Sequence, residues 1–117
     1  MYKIALMGEI HEKGLKILEK SGCNFINIKN YSLNSLKKNL SDVNAIALRT
    51  AELTKEILQE CKSLKIVSRH GVGYDSVDLN YLNEKKIALS ITSNANAVTV
   101  AEHVMSMFFG LSKNIKI

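Results

Sequence analysis

Apolar and polar positions along the chain fall into short blocks that alternate between a strand period and a helix period. Lys3 to Met7 is a strand-length apolar run. His11 to Lys20 places Leu15 and Leu18 on one helical face and turns Glu12, Lys13, Lys16 and Glu19 to water. Ser21-Gly22 ends that helix, with Gly22 as its left-handed cap. Asn24 to Ile28 predicts a short strand at a sheet edge. Ser32 to Leu40 predicts a helix, because Leu33, Leu36 and Leu40 recur at spacings of three and four. Val43 to Leu48 is continuously apolar but for Asn44 and predicts a central strand. Thr54 caps a predicted helix through Glu60 that turns Leu53, Ile57 and Leu58 inward. Leu64 to Arg69 reads as a strand, Val77 to Glu84 as a helix carrying Leu79 and Leu82, and Lys86 to Ile91 as a strand. Ser93-Asn94-Ala95-Asn96 is the loop that follows.

Strand and helix alternate with no hairpin signal, which predicts an α/β fold with a parallel sheet between helices. Five strands predict a flavodoxin-like three-layer sandwich with strand order 2-1-3-4-5.

The last predicted helix, Ala97 to Lys113, has a different pattern. Thr99, Glu102, His103, Ser106 and Lys113 form one narrow polar stripe. Val98, Val100, Ala101, Val104, Met105, Met107, Phe108, Phe109 and Leu111 cover most of the remaining circumference. A helix apolar over so much of its surface must be covered on more than one side. One sheet covers one side, so a second domain, a second subunit or both must supply the rest.

Composition narrows the class. Nearly half of the 117 residues are apolar and 23% are charged, as in an ordinary soluble globular domain. The net charge of +5 is spread along the chain, with Lys37-Lys38 and Lys85-Lys86 as the adjacent lysine pairs. There is no basic block with interleaved aromatics, so nucleic acid is not an expected partner. The most apolar window, Ala95 to Leu111, is short for a membrane span and is broken by Glu102 and His103. Cys23 and Cys61 belong to no CxxC pattern and read as two free buried thiols in a reducing cytosol. Proline is absent.

Candidate chemistry gathers after the Leu64 strand, where the chain reads Arg69-His70-Gly71-Val72-Gly73-Tyr74-Asp75-Ser76-Val77-Asp78. Two glycines break the apolar run, and Asp75, Ser76 and Asp78 are each able to cap the next helix. In a parallel sheet this turn sits at the carboxyl end of a strand, where ligands bind. The amides of Val72 and Gly73 then face a crevice, ready for an anion. The same pattern also suits a tight turn with no ligand. Gly71-x-Gly73-x-x-Ser76 is one residue from a dinucleotide fingerprint, but no acidic residue follows at the ribose-binding distance. Arg49, at the end of the third predicted strand, faces the same edge and suits a carboxylate or phosphate. Arg69 is similar in kind but less well placed. Asn96 reads as a helix cap, and Thr99 with Glu102 as a capping box if the helix starts late. His11, His70 and His103 form neither a metal set nor a triad.

Leu64 to Asp78, followed by Asn96-Ala97-Val98-Thr99-Val100-Ala101-Glu102-His103, resembles the D-isomer-specific 2-hydroxyacid dehydrogenase family, which includes phosphoglycerate and formate dehydrogenases. The resemblance is close from Leu64 onward and looser before Thr50. It implies that the Val72 and Gly73 amides hold the substrate carboxylate, with Gly71 giving room. It implies Arg49 and Asn96 as further substrate contacts, and Val100 against the nicotinamide ring of NAD or NADP. The family's catalytic histidine, its carboxylate partner and its essential arginine match no position here, so no catalytic residue is expected in this chain.

The resemblance further implies that residues 1–93 are an incomplete substrate-binding domain and that residues 94–117 are the interdomain helix leading to a nucleotide-binding domain. A cytoplasmic homodimer through the 97–113 helix, acting on a small 2-hydroxy or 2-oxo acid, completes the expectation. Asn94 and Lys113 stand where the family usually has proline and arginine. The alternative is a non-catalytic α/β binding or dimerisation module. A phosphoacceptor receiver would want Asp where Arg49 stands. A flavin binder would want a phosphate loop where Gly8-Glu9-Ile10-His11 stands.

Overall fold

The computed structural model describes residues 1–115. Five strands, β1 (Lys3–Met7), β2 (Asn24–Asn27), β3 (Ala45–Leu48), β4 (Ile66–Arg69) and β5 (Ala88–Ile91), form one sheet in the order β2-β1-β3-β4-β5. Every neighbouring pair is parallel. The helices are α1 (Glu12–Lys20), α2 (Leu33–Leu40), α3 (Lys55–Leu58), α4 (Leu79–Glu84) and α5 (Ala97–Ser112). Fold class and strand order agree with the sequence reading.

The core lies on one face of the sheet. Ala5, Ile46 and Val67 form one fully buried row across β1, β3 and β4, with Met7 and Leu48 at the carboxyl end. Leu36 and Leu40 of α2, Leu58 of α3 and Leu82 of α4 close over them. Right-handed crossovers carry α2, α3 and α4 to this face and α1 to the other, because the chain moves outward to β2 and then back across the sheet. The opposite face is bare over β4 and β5, where Ile66, Ser68, Ala88 and Ser90 are exposed. Among the described residues the third layer is therefore α1 alone.

Several element ends differ from the sequence reading. Val77 pairs with Leu53 in an isolated parallel bridge, so α4 begins at Leu79, where the Asp78 carboxylate accepts from the Tyr81 amide at 2.9 Å. Lys86 takes a φ of 55°, which delays β5 to Ala88. Val43 closes a turn onto Leu40 and stays outside β3. The α3 helix ends at Leu58, after which Glu60 and Cys61 donate into tighter turns. Leu33 is 46% exposed rather than packed with Leu36 and Leu40. Cys61 is buried, but Cys23 is only half-buried.

The α5 helix has no buried residue. The radius of gyration is 17.6 Å, against about 13 Å for a compact domain of this length. The longest dimension is 55 Å. A 16-residue helix is about 24 Å long, and its projection accounts for the elongation.

Candidate functional site

Four strand ends meet along the carboxyl edge of the sheet. Leu48 pairs with Arg69, and the His70 amide donates to the Leu48 carbonyl at 2.7 Å. Arg49 and His70 therefore leave the sheet side by side. On the other flank the Arg49 amide donates to the Met7 carbonyl at 2.8 Å, which sets Arg49 beside Gly8. The loop after β5 is clipped to the glycine turn by the Thr92 amide, which donates to the Gly71 carbonyl at 3.1 Å.

The glycine turn is open. Gly71 has φ +149°, a conformation that favours glycine. Val72 and Gly73 are exposed, and their amides donate to no acceptor among the described residues. They are bare main-chain donors at the end of a central strand, where a parallel sheet presents them to a ligand. Arg49 is exposed, and its Nη1 donates to the Glu9 carbonyl at 3.0 Å. That bond holds the guanidinium at the edge between the β1 and β3 loops.

Asn96 and Val100 sit farther along the same connection. Asn96 occupies the position before α5, and its carbonyl accepts from the Val100 amide at 2.9 Å. Its side chain makes no capping bond, so the expected side-chain cap does not form and the amide group stays free. Thr99 lies inside the helix, which rules out the alternative capping box with Glu102. Val100 is 51% exposed. The structure thus groups Arg49, Gly71, Val72 and Gly73 at two adjacent strand ends. Among the described residues, the Thr92 clip is the hydrogen bond that ties the loop leading to Asn96 and Val100 to this group.

A hollow of about 820 Å³ opens next to this group rather than within it. Its floor is the Leu53–Val77 bridge, and Thr54, Glu56, Tyr74 and Asp75 stand around it. The neighbouring Thr54 side chain lowers the Glu56 carboxyl pKa from its ordinary value. None of the candidate ligand contacts Arg49, Gly71, Val72, Gly73, Asn96 and Val100 lines this hollow, whereas the capping candidates Asp75, Ser76 and Asp78 do.

The structural roles of two residues escaped the sequence reading. A Cβ on Gly8, which has φ +114°, would lie 2.7 Å from the Arg49 Cβ. Arg69 packs on Gly71 and donates to the His70 carbonyl. The signal for Gly8 was present, as a glycine placed directly after a central strand. Nothing in the sequence marked the contact of Arg69.

Residues 4–113 match the family described as D-isomer specific 2-hydroxyacid dehydrogenase, catalytic domain. The chain belongs to this family. D-3-phosphoglycerate dehydrogenase of Methanocaldococcus jannaschii is 28% identical over 98% of the chain and 22% of its own length. Formate dehydrogenase of Candida boidinii is 32% identical over 96% of the chain and 30% of its own length. A crystal structure of NAD+-bound 3-phosphoglycerate dehydrogenase from Entamoeba histolytica superposes with a TM-score of 0.81 at 29% identity, over 99% of this chain and 41% of that one. The chain therefore spans between about a fifth and two-fifths of the relatives it matches.

A pyrophosphate needs a helix start with free amides. Here α4 starts six residues after Gly73 and has only six residues itself, and the Asp78 carboxylate already occupies its first turn. A second carboxylate, on Asp75, lies 3.7 Å from the Cβ position of Gly73. The turn does not fit a dinucleotide phosphate. Among the described residues, no group of His, Cys, Asp and Glu is arranged to hold a metal ion. No described helix is long and apolar enough to cross a membrane.

Proposed function

We propose that this chain is the substrate-carboxylate-binding portion of an NAD(P)-dependent D-2-hydroxyacid dehydrogenase of the phosphoglycerate dehydrogenase-like kind. The observation that carries the reading is the pair of unpaired, exposed amides at Val72 and Gly73 beside Arg49. Fixed backbone donors grip an anion without losing side-chain freedom. Arg49 adds charge and a forked pairing once its Nη1 exchanges the Glu9 carbonyl for the ligand.

In the full reaction the 2-hydroxy acid loses a hydride and a proton and becomes a 2-oxo acid. NAD or NADP accepts the hydride when bound. The residues of this chain bind and orient. Val72, Gly73 and Arg49 hold the carboxylate, Asn96 offers its free amide to the substrate, and Val100 gives an apolar surface for the nicotinamide ring. Proton transfer and the cofactor phosphates fall, on this reading, to residues other than these. The 117 residues alone do not turn over.

On this reading residues 1–93 are the substrate-binding domain in incomplete form, and residues 94–117 are the interdomain helix leading to the nucleotide-binding domain. The protein is cytoplasmic, and its 97–113 helix pairs with a second copy. The exposed helix also favours a second reading, a non-catalytic α/β dimerisation module.

Titration of the ¹⁵N-labelled chain with glyoxylate tests the proposal. Amide shifts should centre on Val72 and Gly73. Shifts confined to other residues, or none at millimolar glyoxylate, defeat it. NADH consumption by the purified chain alone would refute the claim that it does not turn over.

A further inference from the structure

The turn that offers the Val72 and Gly73 amides is shaped by a side chain that takes no part in the contacts proposed above. Arg69 ends β4 and is half-buried. Its Nη1 donates to the His70 carbonyl. Its guanidinium fills the space that a side chain at Gly71 would need. A Cβ there would lie 2.6 Å from Nη1, 3.0 Å from Cζ and 3.1 Å from Nη2. The Gly71 carbonyl is fixed in turn by the Thr92 amide at 3.1 Å. With both carbonyls of the turn engaged, the peptides carrying the Gly71 and Val72 amides are held, and the Val72 and Gly73 amides donate to no acceptor among the described residues.

Arg69 is not explained by stability. Its Nε–H is buried and has no acceptor among the described residues. An unpaired buried donor opposes folding. An apolar side chain of similar length would fill the same space without that penalty.

We infer that Arg69 is a positioning residue, a clamp on the His70-Gly71 turn that presets the Val72 and Gly73 amides for a carboxylate. The inference rests on reading those amides as the carboxylate site. Preset donors need no ordering when the ligand arrives, so loss of the clamp weakens binding rather than folding. The planar fork reaches the His70 carbonyl while filling the space beside Gly71. A lysine ammonium offers no such plane.

Arg69→Met and Arg69→Lys in the whole chain test this. The thermal midpoint of R69M should hold or rise, while its Kd for glyoxylate, read from the Val72 and Gly73 amides, rises about tenfold. R69K should not restore wild-type affinity. Wild-type affinity in R69M overturns the inference, as does a fall in midpoint that tracks the loss of binding. If the wild-type chain binds no glyoxylate, the carboxylate reading fails separately. The clamp is then decided on the free chain. Backbone order parameters at Val72 and Gly73 should drop in R69M from about 0.85 to below about 0.6, and unchanged values overturn it.

Discussion

Gly8 and Arg49 are in contact across β1 and β3: a Cβ on the glycine would lie 2.7 Å from the Cβ of the arginine. The clash would be with an atom fixed to the backbone, and Gly8 also has φ +114°. Gly8→Ala therefore meets strain twice. It should lower stability by about 2–3 kcal/mol, measured by urea unfolding. It should also displace the Arg49 side chain, seen as a shift of its Nε resonance. An alanine variant as stable as wild type would show that this edge yields more easily than its geometry implies.

Arg49 is exposed, and Nη1 bonds to the Glu9 carbonyl. An exposed arginine with one backbone bond contributes little to folding. Arg49→Met should leave the unfolding free energy within about 0.5 kcal/mol of wild type. Its affinity for glyoxylate should fall about tenfold, in the range expected for a lost charge-assisted bond. Equal affinities would remove Arg49 from the site and leave the amides to hold the anion alone.

The core prediction contrasts two apolar residues. Ile46 is fully buried in the central row of the sheet, whereas Val104 is 52% exposed on α5. Ile46→Ala should cost about 2–5 kcal/mol. Val104→Ala should change stability by less than about 0.5 kcal/mol. Parallel denaturant titrations of the two variants separate the folded unit from the helix that projects from it. A comparable loss in both, at a concentration where the chain is monomeric, would mean that α5 packs on its own sheet in solution.

Cys61 is buried, and its Sγ donates to the Ile57 carbonyl at 3.4 Å. Burial, with the nearby Glu60 charge adding, pushes its thiol up to about 11 from an ordinary 9.0. A thiol whose folded pKa is raised keeps its proton in the native state while the unfolded chain loses it. Its contribution to stability is complete below pH 9 and is lost as pH rises toward 11. At pH 8 a thiol reagent should label Cys23 and spare Cys61 until the protein is unfolded. Mass spectrometry of the labelled peptides checks this, with equal labelling as the adverse result.

The alternation of elements was legible because each strand and helix carries its own apolar period, and the order β2-β1-β3-β4-β5 is that of the flavodoxin-like arrangement which five alternating units suggest. The glycine turn was legible because Gly71 and Gly73 interrupt an apolar run at a strand end. What stayed hidden depends on contacts between residues far apart in the chain. Val77 is periodic with Leu79 and Leu82, yet its bridge to Leu53 takes it out of the helix. Asn96 is a good capping residue, yet its φ of −123° and ψ of 11° leave the side chain without a capping bond. Arg69 looks like any strand-end arginine until Gly71 is folded beneath it.

The bare α5 helix leads to the last prediction. Val98, Val100, Val104, Met105, Met107, Phe108, Phe109 and Leu111 are each at least 49% exposed. Phe108 and Phe109 stack edge to face with centroids 5.9 Å apart, forming a broad aromatic surface near the end of the helix. Monomeric proteins rarely leave so large an apolar patch in water. A stable dimer needs about 800 Å² from each partner, an area that eight large half-exposed side chains approach. The purified chain should therefore run as a dimer in light scattering at micromolar concentration. Phe108→Glu places a charge in the middle of that surface, where desolvation disfavours it. It should yield a monomer with an unchanged unfolding midpoint at low concentration, since Phe108 supports no core residue of its own chain. A monomeric wild-type chain would count against pairing through α5 and against the dimerisation-module reading together.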